Sequence, residues 1–227
     1  TINQAALGII ARGTKLAADQ LEASEADIAF AEGRFTVKGT DRGVGLVELA
    51  ERHGPIADAG DVNSRVGSYP YGWHVCEVEI DPETGVVRLD RYTTIDDVGR
   101  AVNPLILHGQ THGGIAQGAG QALMERMVYS DGQLVTGSFM DYTMPRADDF
   151  PGFVTALSEV PSTTHPLGFR GGGEGGITPA LGVVVNAVVD ALSDYGVSHI
   201  EMPCTPERVW RAIHREDPPP SVGEVSR

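Results

Sequence analysis

Positive charge is scarce in this sequence: 17 Lys and Arg stand against 31 Asp and Glu, for a formal net charge of −14 over 227 residues. A phosphate backbone or an anionic lipid surface needs a basic face, and no basic–aromatic stripe supplies one. Nucleic acid is therefore excluded as a partner. Long apolar runs are missing too. A membrane span takes about 18 or more apolar residues, and the most apolar stretch, 177–192, is interrupted by Thr178, Pro179, Asn186 and Asp190. No span is expected. Cysteine is reduced to Cys76 and Cys204. Two thiols fall short of the set that usually ligates an iron–sulfur cluster, so the chain carries no cluster of its own. They can bridge, or stand as two buried thiols in a reducing compartment; the second reading places the chain in the cytoplasm. No basic segment followed by an apolar core opens the chain, so no secretion signal is read. With Thr1 where an initiating Met would stand, the chain reads as a processed product or a piece of a longer one.

What remains is a globular composition, 41% hydrophobic and 21% charged, with length for one large domain or two small ones around a buried core. Residues 4–23 set Leu7, Ile10, Leu16, Ala17 and Leu21 on one side and Lys15 and Asp19 on the other, which predicts an amphipathic helix. A helical turn from Ser24 and a hairpin around Glu32-Gly33 follow. Leu46–Arg52 predicts a short helix stopped by Gly54-Pro55, and 55–70 a loop. The clearest strands are His74–Ile80 and Val86–Ile95, joined through Asp81-Pro82-Glu83-Thr84-Gly85. A hairpin at Val128–Thr136, a strand at Phe153–Glu159, a helix from Thr178 (as N-cap) to about Ser193 and a last helix at Thr205–Arg215 complete the α+β pattern. Residues 217–227, with Pro218-Pro219-Pro220, predict a disordered tail. Neither an internal repeat nor an interdomain linker is visible.

Glycine is concentrated in two places. The segment Leu105–Met127 has helical spacing yet contains Gly109, Gly113, Gly114, Gly118 and Gly120. Each costs about 1 kcal/mol inside a helix, so something must come close to this one: another backbone or a ligand. The second place is Gly171-Gly172-Gly173-Glu174-Gly175-Gly176. It satisfies G-x-G-x-x-G, but a dinucleotide fingerprint requires an apolar strand directly before it and a helix starting within it. Pro166-Leu167-Gly168-Phe169-Arg170 is not such a strand, and a carboxylate in the loop repels a pyrophosphate. The loop presents instead a single carboxylate without bulky neighbours. Desolvated, Glu174 would have a raised pKa and suit a general base; solvated, it is a surface loop residue.

Other constellations have plainer readings. His108 and His112 have metal-ligand spacing, but no third ligand lies nearby, and packing or capping explains them better. Asp96-Asp97 can hold a hard cation, although capping a turn before Gly99 is the better reading. Gln110, Gln117 and Gln121 are suited to a polar ring ligand and equally to water. No residue of this chain is assigned as a metal ligand.

Taken in order, DDVGRAVNPLILHGQTHGGIAQGAGQAL (96–123), GSFMDYTMPRADDFP (137–151), HPLGFRGGGEGG (165–176), VVNAVVDAL (184–192) and TPERVWRAI (205–213) resemble the molybdenum hydroxylases, the family of xanthine dehydrogenase, aldehyde oxidase and aerobic carbon monoxide dehydrogenase. The resemblance covers nearly the whole chain, but only the C-terminal quarter to third of the family's large subunit. It implies that residues 1–216 are the C-terminal part of a molybdenum-cofactor-binding domain. By the same resemblance Glu174 is the catalytic base, acting on a water-derived oxygen that attacks a substrate carbon. Gln117 and Gly118 match the family's pterin-binding segment, and Gly172 and Gly173 lie near the cofactor. The implied cofactor is a molybdenum–pterin, with or without a cytosine dinucleotide. FAD and [2Fe–2S] clusters are expected on partner chains, with a companion segment completing the site and the whole complex dimeric. Alone, the chain is expected to be inactive. Two other readings stand beside this one: a non-catalytic assembly subunit or fragment of the same fold, and a nucleotide-binding module.

Overall fold

The computed structural model describes residues 1–61 and 67–215. They form two compact units divided near residue 65, where the sequence shows no linker. The expected tail at 217–227, and part of the expected 55–70 loop, lie outside the described residues.

In the first unit, helix α1 (Ile2–Leu21) packs on a three-stranded antiparallel sheet of β1 (Ile28–Ala31), β2 (Arg34–Val37) and β3 (Gly43–Gly45), followed by α2 (Leu46–His53). The β1–β2 hairpin turns on Glu32 and Gly33, both at positive φ, the twist that suits a two-residue turn. Its core is Ala17, Phe35, Val44 and Leu49, all essentially without solvent contact. Phe35 lies directly over Gly13 of α1, where a β-carbon would run into its ring. Truncating so enclosed a ring leaves a cavity: Phe35→Ala is expected to destabilise this unit by about 3–5 kcal/mol, measurable as a lower urea midpoint by circular dichroism.

The second unit is built on β4 (Tyr71–Ile80) and β5 (Val87–Asp97), antiparallel with a register shift at Glu77/Val78, and on β8 (Phe153–Leu157), which runs parallel to β5. Between β5 and β8 come α3 (Pro104–Leu123) and a small hairpin of β6 (Tyr129–Ser130) and β7 (Gln133–Leu134). Helices α4 (Ile177–Ala191) and α5 (Pro206–His214) follow. The extra residue Asp90 at the register shift breaks the alternation of β5, so Leu89 and Tyr92 both face inward, against Ile115, Ala119, Ala122 and Leu123 of α3 and Ala180, Val184 and Val188 of α4. Cys204 is buried in this core and Cys76 packs beside it, both as free thiols. Burial pushes the Cys76 thiol up to about 12 and Cys204 up to about 11, so neither is a ready nucleophile. Among the described residues no helix is long and apolar enough to cross a membrane.

Helix α1 lies two residues earlier than the 4–23 of the sequence reading, and two boundaries in the second unit differ for reasons visible in the contacts. Helix α3 stops at Leu123 rather than Met127, because the backbone N–H groups of Met124 and Glu125 both turn back onto Gly120 O (2.9 Å each). Helix α4 starts at Ile177 with Gly176 as its N-cap, not at a Thr178 cap. Contact with α3 sets that start: a β-carbon on Gly176 would lie 2.5 Å from Thr111 O and 3.1 Å from Gly114 Cα.

Candidate functional site

Residues 165–176 pass from the end of the sheet into α4. The beginning of the segment is stitched to the end of β5 by Arg100 N–H to Gly168 O (3.0 Å) and Arg170 N–H to Val98 O (2.8 Å). His165 Nδ1 accepts from Leu167 N–H at 3.1 Å, shaping the turn before Gly168. No strand precedes the glycines, only a single bridge between Gly99 and Phe169, so the G-x-G-x-x-G match lacks the setting a dinucleotide needs.

Glu174 stands exposed on this loop. Its backbone carbonyl accepts from Thr178 N–H (3.2 Å) at the entrance to α4. Among the described residues its carboxylate has neither a hydrogen bond nor an ion pair. Gly173 is open, a β-carbon there meeting nothing within 4 Å, whereas Gly172 sits over Leu107 and Val98 at 3.0 and 3.4 Å. The carboxylate is thus presented outward to solvent by a loop free of side-chain bulk, so within this chain alone it lacks the desolvation that a general base was expected to have.

Beneath the loop lies a polar network that the sequence did not announce. Asp96 is 3% exposed. His74 Nε2–H donates to its Oδ1 (3.0 Å), and the Thr94 and Thr111 hydroxyls donate to its Oδ2 (3.1 and 3.2 Å). Tyr92 Oη lies 2.9 Å from His74 Nδ1. Burial above all, with Cys76 and Asp96 nearby, raises the Tyr92 pKa and keeps its hydroxyl a donor. Asp97 does cap the turn as read, accepting from Gly99 N–H at 2.8 Å. Asp96 does not, because neighbouring residues on a strand face opposite ways and this one faces the core. The histidine pair serves packing: His108 and His112 both reach the Thr155 hydroxyl of β8, at 2.7 and 3.3 Å. Among the described residues no group of His, Cys, Asp and Glu is placed to hold a metal ion.

The glycines of α3 divide by direction. Gly114 and Gly118 face α4, where a β-carbon on Gly118 would lie 2.7 Å from Ala180 Cβ. Gly118, which the family resemblance sets near the cofactor, is buried between the two helices. Gly109 and Gly113 face open space, on the side that also carries Gln110, Gln117 and Gln121, all exposed. Residues four apart on a helix are neighbours, so the Gln117 amide stands next to the bare backbone of Gly113. Among the described residues that amide has no hydrogen-bond partner. A flat ring edged with donors and acceptors can lie on the glycines and take the amide at its rim, so a pterin fits these residues.

An α+β unit that offers a smooth, amide-lined helix face and, on a glycine loop, an outward carboxylate defines a piece of a cofactor-binding subunit. The chain belongs to the molybdenum hydroxylase family: the family model for a molybdopterin cofactor-binding domain matches residues 1–151, ending before the Glu174 loop. The gamma subunit of the 6-hydroxypseudooxynicotine dehydrogenase complex of Paenarthrobacter nicotinovorans is 38% identical over 223 residues, 91% of this chain and 28% of that relative. Among solved structures, Cu,Mo-CO dehydrogenase in its carbon monoxide reduced state superposes with a TM-score of 0.87 at 32% identity, covering 93% of this chain and 28% of that one. Quinoline 2-oxidoreductase from Pseudomonas putida 86 gives 0.83 at 34% identity, covering 92% and 28%. The chain therefore spans little more than a quarter of the length of these relatives.

Proposed function

We propose that this chain forms the C-terminal part of the large subunit of a molybdenum hydroxylase complex, with Glu174 as its general base. The observation that carries the proposal is an unpartnered carboxylate on a bulk-free loop, in a chain whose relatives include a Cu,Mo-CO dehydrogenase and a quinoline oxidoreductase. Gln117 would hydrogen-bond the pterin across Gly113, and Gly172 and Gly173 would leave room beside it. When bound, the molybdenum–pterin cofactor, with or without a cytosine dinucleotide, supplies the acceptor for an electron pair. The net reaction is R–H + H2O → R–OH + 2 H+ + 2 e−. Glu174 takes a proton from the water-derived oxygen as it attacks the substrate carbon, which raises its nucleophilicity at the moment of bond formation.

The chain would act only in company. A companion segment supplies the rest of the pocket, and partner chains with [2Fe–2S] clusters and FAD carry the electrons away, the whole assembling as a dimer in the cytoplasm. The outward face of the second unit's sheet supports this reading, since Trp73 is 82% exposed and Val75, Ile95 and Val154 lie around it. So large an apolar side chain in the open is more typical of a covered surface than of a free one.

The test is metal analysis of the native complex purified through a tag on this chain. Stoichiometric molybdenum with iron and flavin co-purifying is the expected result. A chain that emerges without molybdenum or partners overturns the proposal.

A further inference from the structure

We infer that Asp96 and Asp97 are positioning residues that clamp opposite ends of the Glu174 loop; the inference rests on the reading of Glu174 as base. The two carboxylates are adjacent on β5 and therefore point to opposite sides of the strand. Each is buried, at 3% and 9% exposure, and each reaches one end of the loop.

Asp97 holds the entry. Its Oδ1 accepts from Gly99 N–H (2.8 Å) and Val160 N–H (3.1 Å), and its Oδ2 lies 3.7 Å from Arg170 Nε. The Arg170 guanidinium is also stacked over the Tyr71 ring, 4.9 Å from its centroid. Charge, ring and backbone thus fix the residue from which the glycines start.

Asp96 holds the exit through Thr111. The Thr111 hydroxyl donates to Asp96 Oδ2 (3.2 Å), and the Thr111 carbonyl lies where a Gly176 β-carbon would come within 2.5 Å. Gly175 passes so near that its β-carbon would be 4.0 Å from Asp96 Oδ1. His74 and Thr94 are the other donors to the carboxylate, so its direction is fixed independently of the loop.

Between these ends Gly171 N–H donates to Ser68 O (3.3 Å) and Gly172 packs on Leu107 and Val98, whereas a β-carbon on Gly173 would meet nothing within 4 Å. A glycine run with free ends samples many conformations, so the position of Glu174 depends on how firmly the ends are held. A general base misplaced by about 1 Å loses roughly a hundredfold in rate.

The test uses Asp97→Asn and Thr111→Val in the native complex, with Thr111→Ser as the conservative control and Glu174→Gln alongside. Hydrogen exchange of the peptide covering 169–176 is expected to quicken roughly tenfold or more in the first two variants, as a charged or buried hydrogen bond is lost. Turnover per molybdenum should fall about a hundredfold with KM nearly unchanged, and Thr111→Ser should restore both. Loop exchange and turnover like wild type in both variants overturn the clamp. Protection lost throughout β5 and α4 as well overturns it too, since the pair would then stabilise the fold rather than the loop. If Glu174→Gln retains full turnover the base reading fails, while the exchange measurement still decides the clamp.

Discussion

Glu174→Gln is expected to lower turnover of the assembled complex by about two to four orders of magnitude, the usual contribution of a placed general base, while molybdenum stays bound. The substitution keeps shape and hydrogen-bonding capacity and removes only the ability to take a proton at ordinary pH. Nothing in the fold depends on the carboxylate: it is exposed and has no internal partner among the described residues. The α4 entrance uses the Glu174 backbone carbonyl, which glutamine retains. Stability and metal content should therefore match wild type, and a loss of rate cannot be a loss of structure. The check is kcat per molybdenum, with the melting midpoint and KM measured on the same preparations. A variant that turns over within a few-fold of wild type removes Glu174 from the chemistry and leaves the chain as an assembly subunit of the same fold.

How much of this was legible beforehand depended on whether the cause was local. The β4–β5 hairpin was readable because alternation and the Asp81–Gly85 turn are neighbours in sequence, and the last helix was placed within a residue of its observed start at Pro206, after Thr205, whose hydroxyl accepts from Arg208 N–H three residues on. The parallel pairing of β8 with β5 was not, because nothing in either segment names the other across a helix and a hairpin. Asp96 was misread for a related reason. Beside Asp97 and Gly99 it looks like part of a turn, and only the register Gly72↔Asp96, with Thr111 above, shows it facing the core. The loop around Glu174 was visible as composition, whereas what fixes its ends was not, because Arg170 and Gly176 are held by residues far away in sequence.

The glycines of α3 show the same boundary, and they yield the second large effect. Five glycines in a helical segment required close approach along this helix but could not say by what. The structure separates the answers at adjacent residues. Gly114→Val is expected to destabilise the second unit by about 3 kcal/mol or more, the upper range for overpacking. Its β-carbon would meet Ile177 N at 2.7 Å and Gly176 Cα at 2.9 Å. These are backbone atoms with no rotamer to yield, so α4 must move, carrying the end of the Glu174 loop with it. Gly113→Ala should do the opposite to stability: its β-carbon meets nothing within 4 Å, and alanine in a helix interior gains about 0.5–1 kcal/mol over glycine. Yet if the pterin lies on this bare stretch beside Gln117, the same methyl group occupies its place, and molybdenum per copy should drop. Thermal midpoint and metal content measured together on the two variants then read different things. A loss of both in Gly114→Val reports helix packing; a more stable Gly113→Ala that holds less molybdenum reports a ligand on the open face. Full molybdenum in the stabilised Gly113→Ala complex would move the pterin off α3, and Gln117 with it.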